Sequence, residues 1–337
     1  MSQTSAIETA TSAQPLGVEI TARALRVDYG AFTALDLPSL VVAGRIIAVI
    51  GHNGAGKSTL IKALLNLIPP ASGSVGVEEL AANRRRRLAP ERDMAFCPEM
   101  GSVFADITVE SYIKLWCRLK QGDGAFYRRG GSRYVDLLSI TPLLRKFGRE
   151  LSKGQRRRVQ TAIGFLTEPR FFLFDEPFDG LDVQRTNELS TLIAQESETR
   201  SFLISSHRMD VVQRLADVVV VLKEGTCLAA GKVEAVSAEL SGRTAIISAG
   251  EHAPRVIDLV AAHFPTALLA RRGGQITVTG PTVDPAALYA TLASLGGTPP
   301  QIEIVPPRLV DAMNYHLLSL RGRTTETSGR AAATAAE

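Results

Sequence analysis

Short apolar stretches alternate with amphipathic ones along most of the chain, and their periods predict an α/β protein. The segments VEITARALRVDYG and LPSLVVAGRIIAVIG alternate or run apolar in β-branched residues, which predicts strands leading into a glycine-rich turn. A helix is expected from Ser58 to about Ile68, stopping before Pro69-Pro70, which cannot continue it. From Glu78 to Arg149 the pattern is mostly helical and polar, broken by a strand-like MAFCP and a glycine-arginine loop at 121–133, and predicts a helical subdomain. RFFLFDEP, SFLISSH and ADVVVVLKEG then read as buried strands separated by helices, the order of a largely parallel sheet.

Composition shifts near 236–242, and the rest predicts a new sequence of elements. TAIISAG, PRVIDLVAAHF, TALLAR, GQITVTG, PAALYATLASL and QIEIVP read strand, helix, strand, strand, helix, strand, the ferredoxin-like βαββαβ arrangement. The expected organisation is a disordered tail over 1–16 and a main domain over 17–240, with its helical subdomain at about 78–165. A small C-terminal α+β domain over 241–322 and a second tail over 323–337 complete it.

Composition narrows the setting more than the chemistry. With 337 residues, 45% hydrophobic and 21% charged, the chain can bury one large core or two. The net charge of +4 sits largely in runs such as Arg84 to Arg87 and Arg156 to Arg158, and does not by itself argue for nucleic acid. The three cysteines show no CxxC spacing and the five histidines no metal-ligand spacing, which fits a reducing cytoplasm. The first residues lack the basic and apolar regions of a signal peptide. VVVVL is strand-length, far short of the roughly 20 apolar residues a membrane helix needs. Any membrane role therefore implies a spanning partner on another chain.

Two motifs carry chemistry. GHNGAGKST fits GxxxxGK[ST] between a predicted strand and a predicted helix, the context of a phosphate-binding P-loop. Its glycines let successive backbone N–H groups turn toward phosphate oxygens, and the following helix presents its positive end. Lys57 would reach the β- and γ-phosphates of a nucleotide and the Ser58 hydroxyl would ligate Mg²⁺. RFFLFDEP places Asp175 and Glu176 at the end of an apolar strand, where Asp175 would hold Mg²⁺ and Glu176 would orient and deprotonate an attacking water. The plain structural alternatives are a capped glycine turn and a strand-end turn.

GHNGAGKST, LSKGQ, FFLFDEP, FDGLD and the SSH at 205–207, in this order, resemble the ATP-binding cassette (ABC) ATPases over about residues 17–235. The resemblance implies a P-loop NTPase cassette, a mixed sheet core plus a helical subdomain. ATP would be bound by Gly51, His52, Asn53, Gly54, Ala55, Gly56, Lys57, Ser58 and Thr59, with Tyr29 stacking on adenine. Glu176, His207 and Lys57 become the catalytic set, and Asp182 sits in a loop that crosses to a partner cassette. Ser152, Lys153, Gly154 and Gln155 become a signature segment whose N–H groups form a second anion site, aimed at the ATP of a partner. Two cassettes, as a homodimer or heterodimer packed head to tail, would then sandwich two ATP molecules. Without a partner, the same segment would be a helix N-cap.

Three positions depart from the family pattern. Glu99 stands where Gln usually follows the strand MAFCP, and could still ligate Mg²⁺ or water; Lys153 stands where the signature usually has Gly; Val183 replaces the usual Pro. Arg158 matches a familiar basic position, whereas Arg156, Arg157 and the run Arg84 to Arg87 read as solvated faces. DITVES reads either as an N-capped helix start or as the region that touches a permease's coupling helix. One cassette followed by an extension ending in PPRLVDAMNYHLL resembles exporter-type ATPases of drug, antibiotic or sodium systems. The implied role is ATP hydrolysis that drives export through separate membrane-spanning permease subunits, from the inner face of the cell membrane. A soluble cassette protein acting on nucleic acid or the ribosome is the alternative, and lacks the second cassette or coiled coil such relatives carry.

Overall fold

The computed structural model describes residues 17–82, 84–100, 103–295 and 300–320, so both expected tails lie outside the described residues. The chain forms two compact units that meet in sequence at Gly231 and Lys232. In the first, β1 (Gly17–Tyr29), β2 (Phe32–Gly44) and β3 (Ile46–Ile50) precede α1 (Lys57–Leu64). Then come β4 (Ser72–Ala81), β5 (Arg84–Arg87), α2 (Pro90–Asp93), β6 (Met94–Cys97), α3 (Val109–Gln121) and α4 (Ser132–Leu137). The unit continues with α5 (Lys153–Leu166), β7 (Phe171–Asp175), α6 (Val183–Glu196), β8 (Ser201–Ser206), α7 (Met209–Leu215), β9 (Val218–Lys223) and β10 (Thr226–Lys232).

Two sheets build this unit: β2-β1-β4-β5, and β10-β9-β3-β8-β7-β6. In the second sheet β3, β8, β7 and β6 pair in parallel, as do β3 and β9. Their side chains are buried on both faces, which explains apolar runs without alternation in FFLF and VVVVL. Alternate residues still go to different cores. Phe172, Phe174 and Phe202 join the helices α3 to α6 in one cluster, while Phe171, Leu173 and Leu203 join α1 and the β1-β2 sheet in another. Helix α5 lies hard against this strand layer: a Cβ on Gly164 would come within 2.0 Å of the Phe172 ring.

Three sequence expectations about these elements fail. The helical pattern expected from Glu78 does not hold at its start, since Ser72–Ala81 and Arg84–Arg87 are antiparallel strands, with Glu79 opposite Arg86 and Glu78 opposite Arg87. Apart from the four-residue α2, helical structure of the subdomain begins at α3, after β6. The arginine run is also more than a solvated face. Arg85 reaches Glu19 at 2.7 Å, and Arg86 meets Glu79 at 3.3 Å and Asp93 at 3.2 Å. Helix α1 ends earlier than Ile68, because Asn66 adopts φ 54° and leaves the helical region.

The second unit begins with α8 (Val233–Ser241), so the expected boundary at 240/241 falls at the end of a helix that belongs to this unit. It continues with β11 (Arg243–Ser248), α9 (Ala253–His263), β12 (Leu268–Arg272), β13 (Gln275–Gly280), α10 (Pro285–Ala293), β14 (Gln301–Val305) and α11 (Leu309–Leu320). The sheet order is β12-β13-β11-β14, antiparallel throughout, which is the ferredoxin-like topology. Ile247, Ile276 and Val278 pack with Val256, Val260 and Leu288 from α9 and α10 to form its core. The extension PPRLVDAMNYHLL becomes α11, which packs on α8. Among the described residues no helix is long and apolar enough to cross a membrane.

Candidate active site

Parallel strands carry their C-terminal ends to one edge, and the candidate residues leave from that edge. Gly51 follows β3, Asp175 and Glu176 close β7, and His207 follows β8. The loop after β3 is tightly enclosed. A Cβ on Gly51 would lie 2.3 Å from the Leu222 carbonyl oxygen, and one on Gly56, where φ is 102°, would lie 2.9 Å from the Ala34 oxygen. These contacts explain why glycine is required there. Ser58 and Thr59 open α1, whose first N–H groups lack helical acceptors. His52, Asn53 and Gly54 are exposed at the tip of the loop and Ala55 is buried beneath it.

Lys57 is 6% exposed. Its ammonium donates to the carbonyls of Gly51 (2.9 Å) and His52 (3.3 Å) and stands 3.2 Å from Glu176 Oε1. The other carboxylate oxygen, Glu176 Oε2, lies 2.9 Å from His207 Nδ1 and accepts from the His207 backbone N–H at 3.2 Å. Glu176 thus joins the loop after β3 to the loop after β8. It does so from φ 51°, a left-handed conformation that costs a non-glycine residue about 1–3 kcal/mol and is found at sites the surroundings over-determine.

Ser205 holds this arrangement, and sequence reading had not singled it out. It sits opposite Asp175 in the β7-β8 register and is fully buried. Its hydroxyl donates to Asp175 Oδ1 at 2.6 Å and accepts from the Glu176 N–H at 2.9 Å. The signal was present in SSH, where only the histidine carried a familiar role.

The oxygen donors suit Mg²⁺. Glu176 Oε1 is buried and faces the Lys57 ammonium at 3.2 Å without a hydrogen bond, Asp175 is buried beside it in sequence, and the Ser58 hydroxyl stands at the start of α1. No group of three His, Cys, Asp or Glu side chains is placed to hold a metal ion among the described residues. Glu99 leaves β6 at the same edge, but its side chain is exposed and its backbone carbonyl is the engaged group, accepting from Arg157 at 2.7 Å.

Tyr29 ends β1 and is 47% exposed. Phe32, directly opposite it in the β1-β2 register, is 65% exposed, a second aromatic surface that sequence reading passed over. The same hairpin carries Ala34 against Gly56, so both rings belong to the strand pair that flanks the loop after β3.

Ser152 caps α5. Its hydroxyl accepts from the Gln155 N–H at 3.2 Å, and the Gln155 side chain accepts from the Ser152 N–H at 3.1 Å, a capping box. Ser152, Lys153 and Gly154 are exposed, and no hydrogen bond or ion pair joins this segment to Gly51–Thr59 among the described residues. Lys153 Nζ stands 3.9 Å from Asp179. Asp182 caps α6, accepting from the Arg185 N–H at 2.7 Å, and Thr108 in DITVES caps α3. Arg157, expected on a solvated face, is instead 5% exposed, because its guanidinium turns inward to backbone carbonyls; Arg156 and Arg158 are half-buried.

The ABC transporter family profile matches residues 36–179. The molybdenum import ATP-binding protein ModC 1 of Azotobacter vinelandii is 33% identical over 272 residues, 75% of this chain and 71% of that protein. The sulfate/thiosulfate import ATP-binding protein CysA 1 of Rhizobium meliloti (strain 1021) is 29% identical over 215 residues, of whose length the chain spans 61%. Among solved structures, an ATP-binding subunit of an ABC transporter superposes with TM-score 0.57 at 28% identity, covering 65% of this chain and 92% of that one. At this identity and coverage the chain belongs to the ABC transporter family, among its ATP-binding cassettes, the ATPases coupled to transport.

Proposed function

We propose that this chain binds ATP in the loop Gly51–Thr59 and hydrolyses it with Glu176 as the general base, powering translocation by membrane-spanning subunits on separate chains. The observation that carries the reading is the Glu176 carboxylate, set between Lys57 at 3.2 Å and His207 at 2.9 Å. A carboxylate so held can take the proton of a water attacking the γ-phosphate, while Lys57 meets the negative charge of that phosphate and His207 keeps the carboxylate oriented. Mg²⁺, held through Ser58 and Asp175 with Glu99 as a further oxygen ligand, would supply charge neutralisation on the phosphates. Tyr29 would stack on the adenine.

The exposed cap Ser152–Gln155 supports an assembly in which each cassette completes the other's site, head to tail, with Asp182 in the loop facing the partner. Such a dimer would sit peripherally at the inner face of the membrane. The narrower expectation of export is not carried forward: the relatives named above are import proteins, and no feature of this chain sets a direction. Nor does any observation favour the nucleic-acid alternative.

Glu176→Gln tests the reading. It should reduce phosphate release by at least about a hundredfold while leaving ATP binding intact, the usual scale for losing a general base. Turnover at the wild-type rate would remove Glu176 from that role.

A further inference from the structure

We infer that Arg157 is a positioning residue for hydrolysis, one that holds the signature segment in register with the loops after β6 and β7. The inference rests on the two-cassette reading above. Arg157 lies on α5, on the turn that follows the cap Ser152–Gln155. One terminal nitrogen donates to the Glu99 carbonyl at 2.7 Å and the other donates to the Asp179 carbonyl. Glu99 begins the loop after β6, and Asp179 lies between Glu176 and the α6 cap Asp182. Three separate segments therefore meet on one planar group.

The geometry makes the coupling stiff. A guanidinium presents its donors in a fixed fork, so neither loop can shift relative to α5 without bending or breaking a bond. At its other end α5 is pinned by Gly164 against Phe172, so the helix passes displacement on rather than absorbing it. Asp179 also faces the signature from its side chain, 3.9 Å from Lys153.

The charge itself argues for a positional task. Arg157 is 5% exposed and makes no ion pair among the described residues; its partners are carbonyls. An apolar side chain of similar volume would avoid the desolvation of a cation, so stability alone does not account for it. Its neighbours Arg156 and Arg158 keep more solvent, and of the two Arg156 reaches one carbonyl, that of Gly148, at 3.3 Å.

Arg157→Met removes both donors at similar volume, and Arg157→Lys keeps the charge with one donor group. The full chain would be assayed for fluorescent-ATP binding, for steady-state phosphate release and, in the Glu176→Gln background, for ATP-driven dimerisation by light scattering. Ser152→Arg serves as the control for the sandwich. Loss of two hydrogen bonds from a charged group should lower kcat about tenfold to a hundredfold in Arg157→Met and by about threefold to tenfold in Arg157→Lys. ATP affinity of the monomer should stay within about twofold, since Arg157 makes no contact with Gly51–Thr59. Both variants should weaken the ATP-driven dimer. Wild-type kcat and dimerisation in a folded Arg157→Lys chain, with Ser152→Arg abolishing the dimer, would overturn the proposal and spare the sandwich. Loss of monomer ATP binding in both variants would overturn it too, by making Arg157 structural. A Ser152→Arg chain that still dimerises on ATP would remove the sandwich, and the proposal with it.

Discussion

Ser205→Ala removes a single oxygen from the centre of the site. That hydroxyl is fully buried, donates to Asp175 Oδ1 at 2.6 Å and accepts from the Glu176 N–H at 2.9 Å. A hydrogen bond to a charged group contributes about 1.5–3 kcal/mol, and here its loss leaves a buried carboxylate oxygen without that donor. The Glu176 N–H keeps a longer bond to the Ser205 carbonyl at 3.2 Å, so it is not orphaned. A destabilisation of about 2–3 kcal/mol follows, or roughly 4–12 °C in Tm for a unit of this size. The kinetic effect has a different origin. Glu176 stands at φ 51°, and the Ser205 hydroxyl is one of the contacts that keep it there. Without it the carboxylate can relax away from Lys57 and His207, and the strain of about 1–3 kcal/mol then appears as a kcat roughly tenfold to a hundredfold lower. ATP affinity, set by the loop after β3, should change little. Thermal unfolding, nucleotide binding and phosphate release on one preparation separate the two effects. A kcat within twofold of wild type in a protein whose Tm has fallen as expected would refute the positioning argument and leave Ser205 a core hydroxyl.

The other expectations concern different parts of the molecule. Tyr29→Ala should raise the KM for ATP about threefold to tenfold with kcat nearly unchanged, the scale of one lost aromatic stack; an unmoved KM would send the adenine elsewhere, with Phe32→Ala the next variant to measure. Gly164→Ala puts a methyl group 2.0 Å from the Phe172 ring and should destabilise by about 1–3 kcal/mol in urea unfolding, whereas an unchanged midpoint would mean that α5 does not lie so close. Asp93 should govern part of the acid stability. Burial alone would raise its pKa, but Arg92, the Ala89 N–H and Arg86 together hold it at about 2, below the usual 3.8. A depressed carboxylate contributes stability above its unfolded pKa and loses it as pH falls through the folded value. About 2 kcal/mol at most should therefore disappear between about pH 4 and 2, and Asp93→Asn should flatten that part of the stability profile.

Much of the fold was legible in the sequence because local pattern determines structure there. FFLF, FLIS and VVVV lie in one sheet because their residues face apolar cores on both sides, so the run itself encodes burial. The βαββαβ order of the second unit was visible for the same reason, each element being bounded by turn residues and carrying its own period. Motifs at strand ends inherit their placement from those strands: once β3, β7 and β8 run parallel, Lys57, Glu176 and His207 converge.

The charged groups that were misread have partners distant in sequence. Arg85 pairs with Glu19 across 66 positions, and the run Arg84–Arg87 looks helical or solvated until β1 and β4 are laid beside it. Arg157 is the harder case. Its acceptors are the carbonyls of Glu99 and Asp179, 58 and 22 positions away, and a carbonyl is the same whichever side chain it carries. A bond from a side chain to backbone leaves no complementary residue to find, so no charge pattern in RRR distinguishes the middle arginine from its neighbours. Burial does distinguish it. A buried cation satisfied only by main chain reads tertiary position rather than sequence, and for that reason the loops it joins are where hydrolysis should be most sensitive to a substitution outside the motifs.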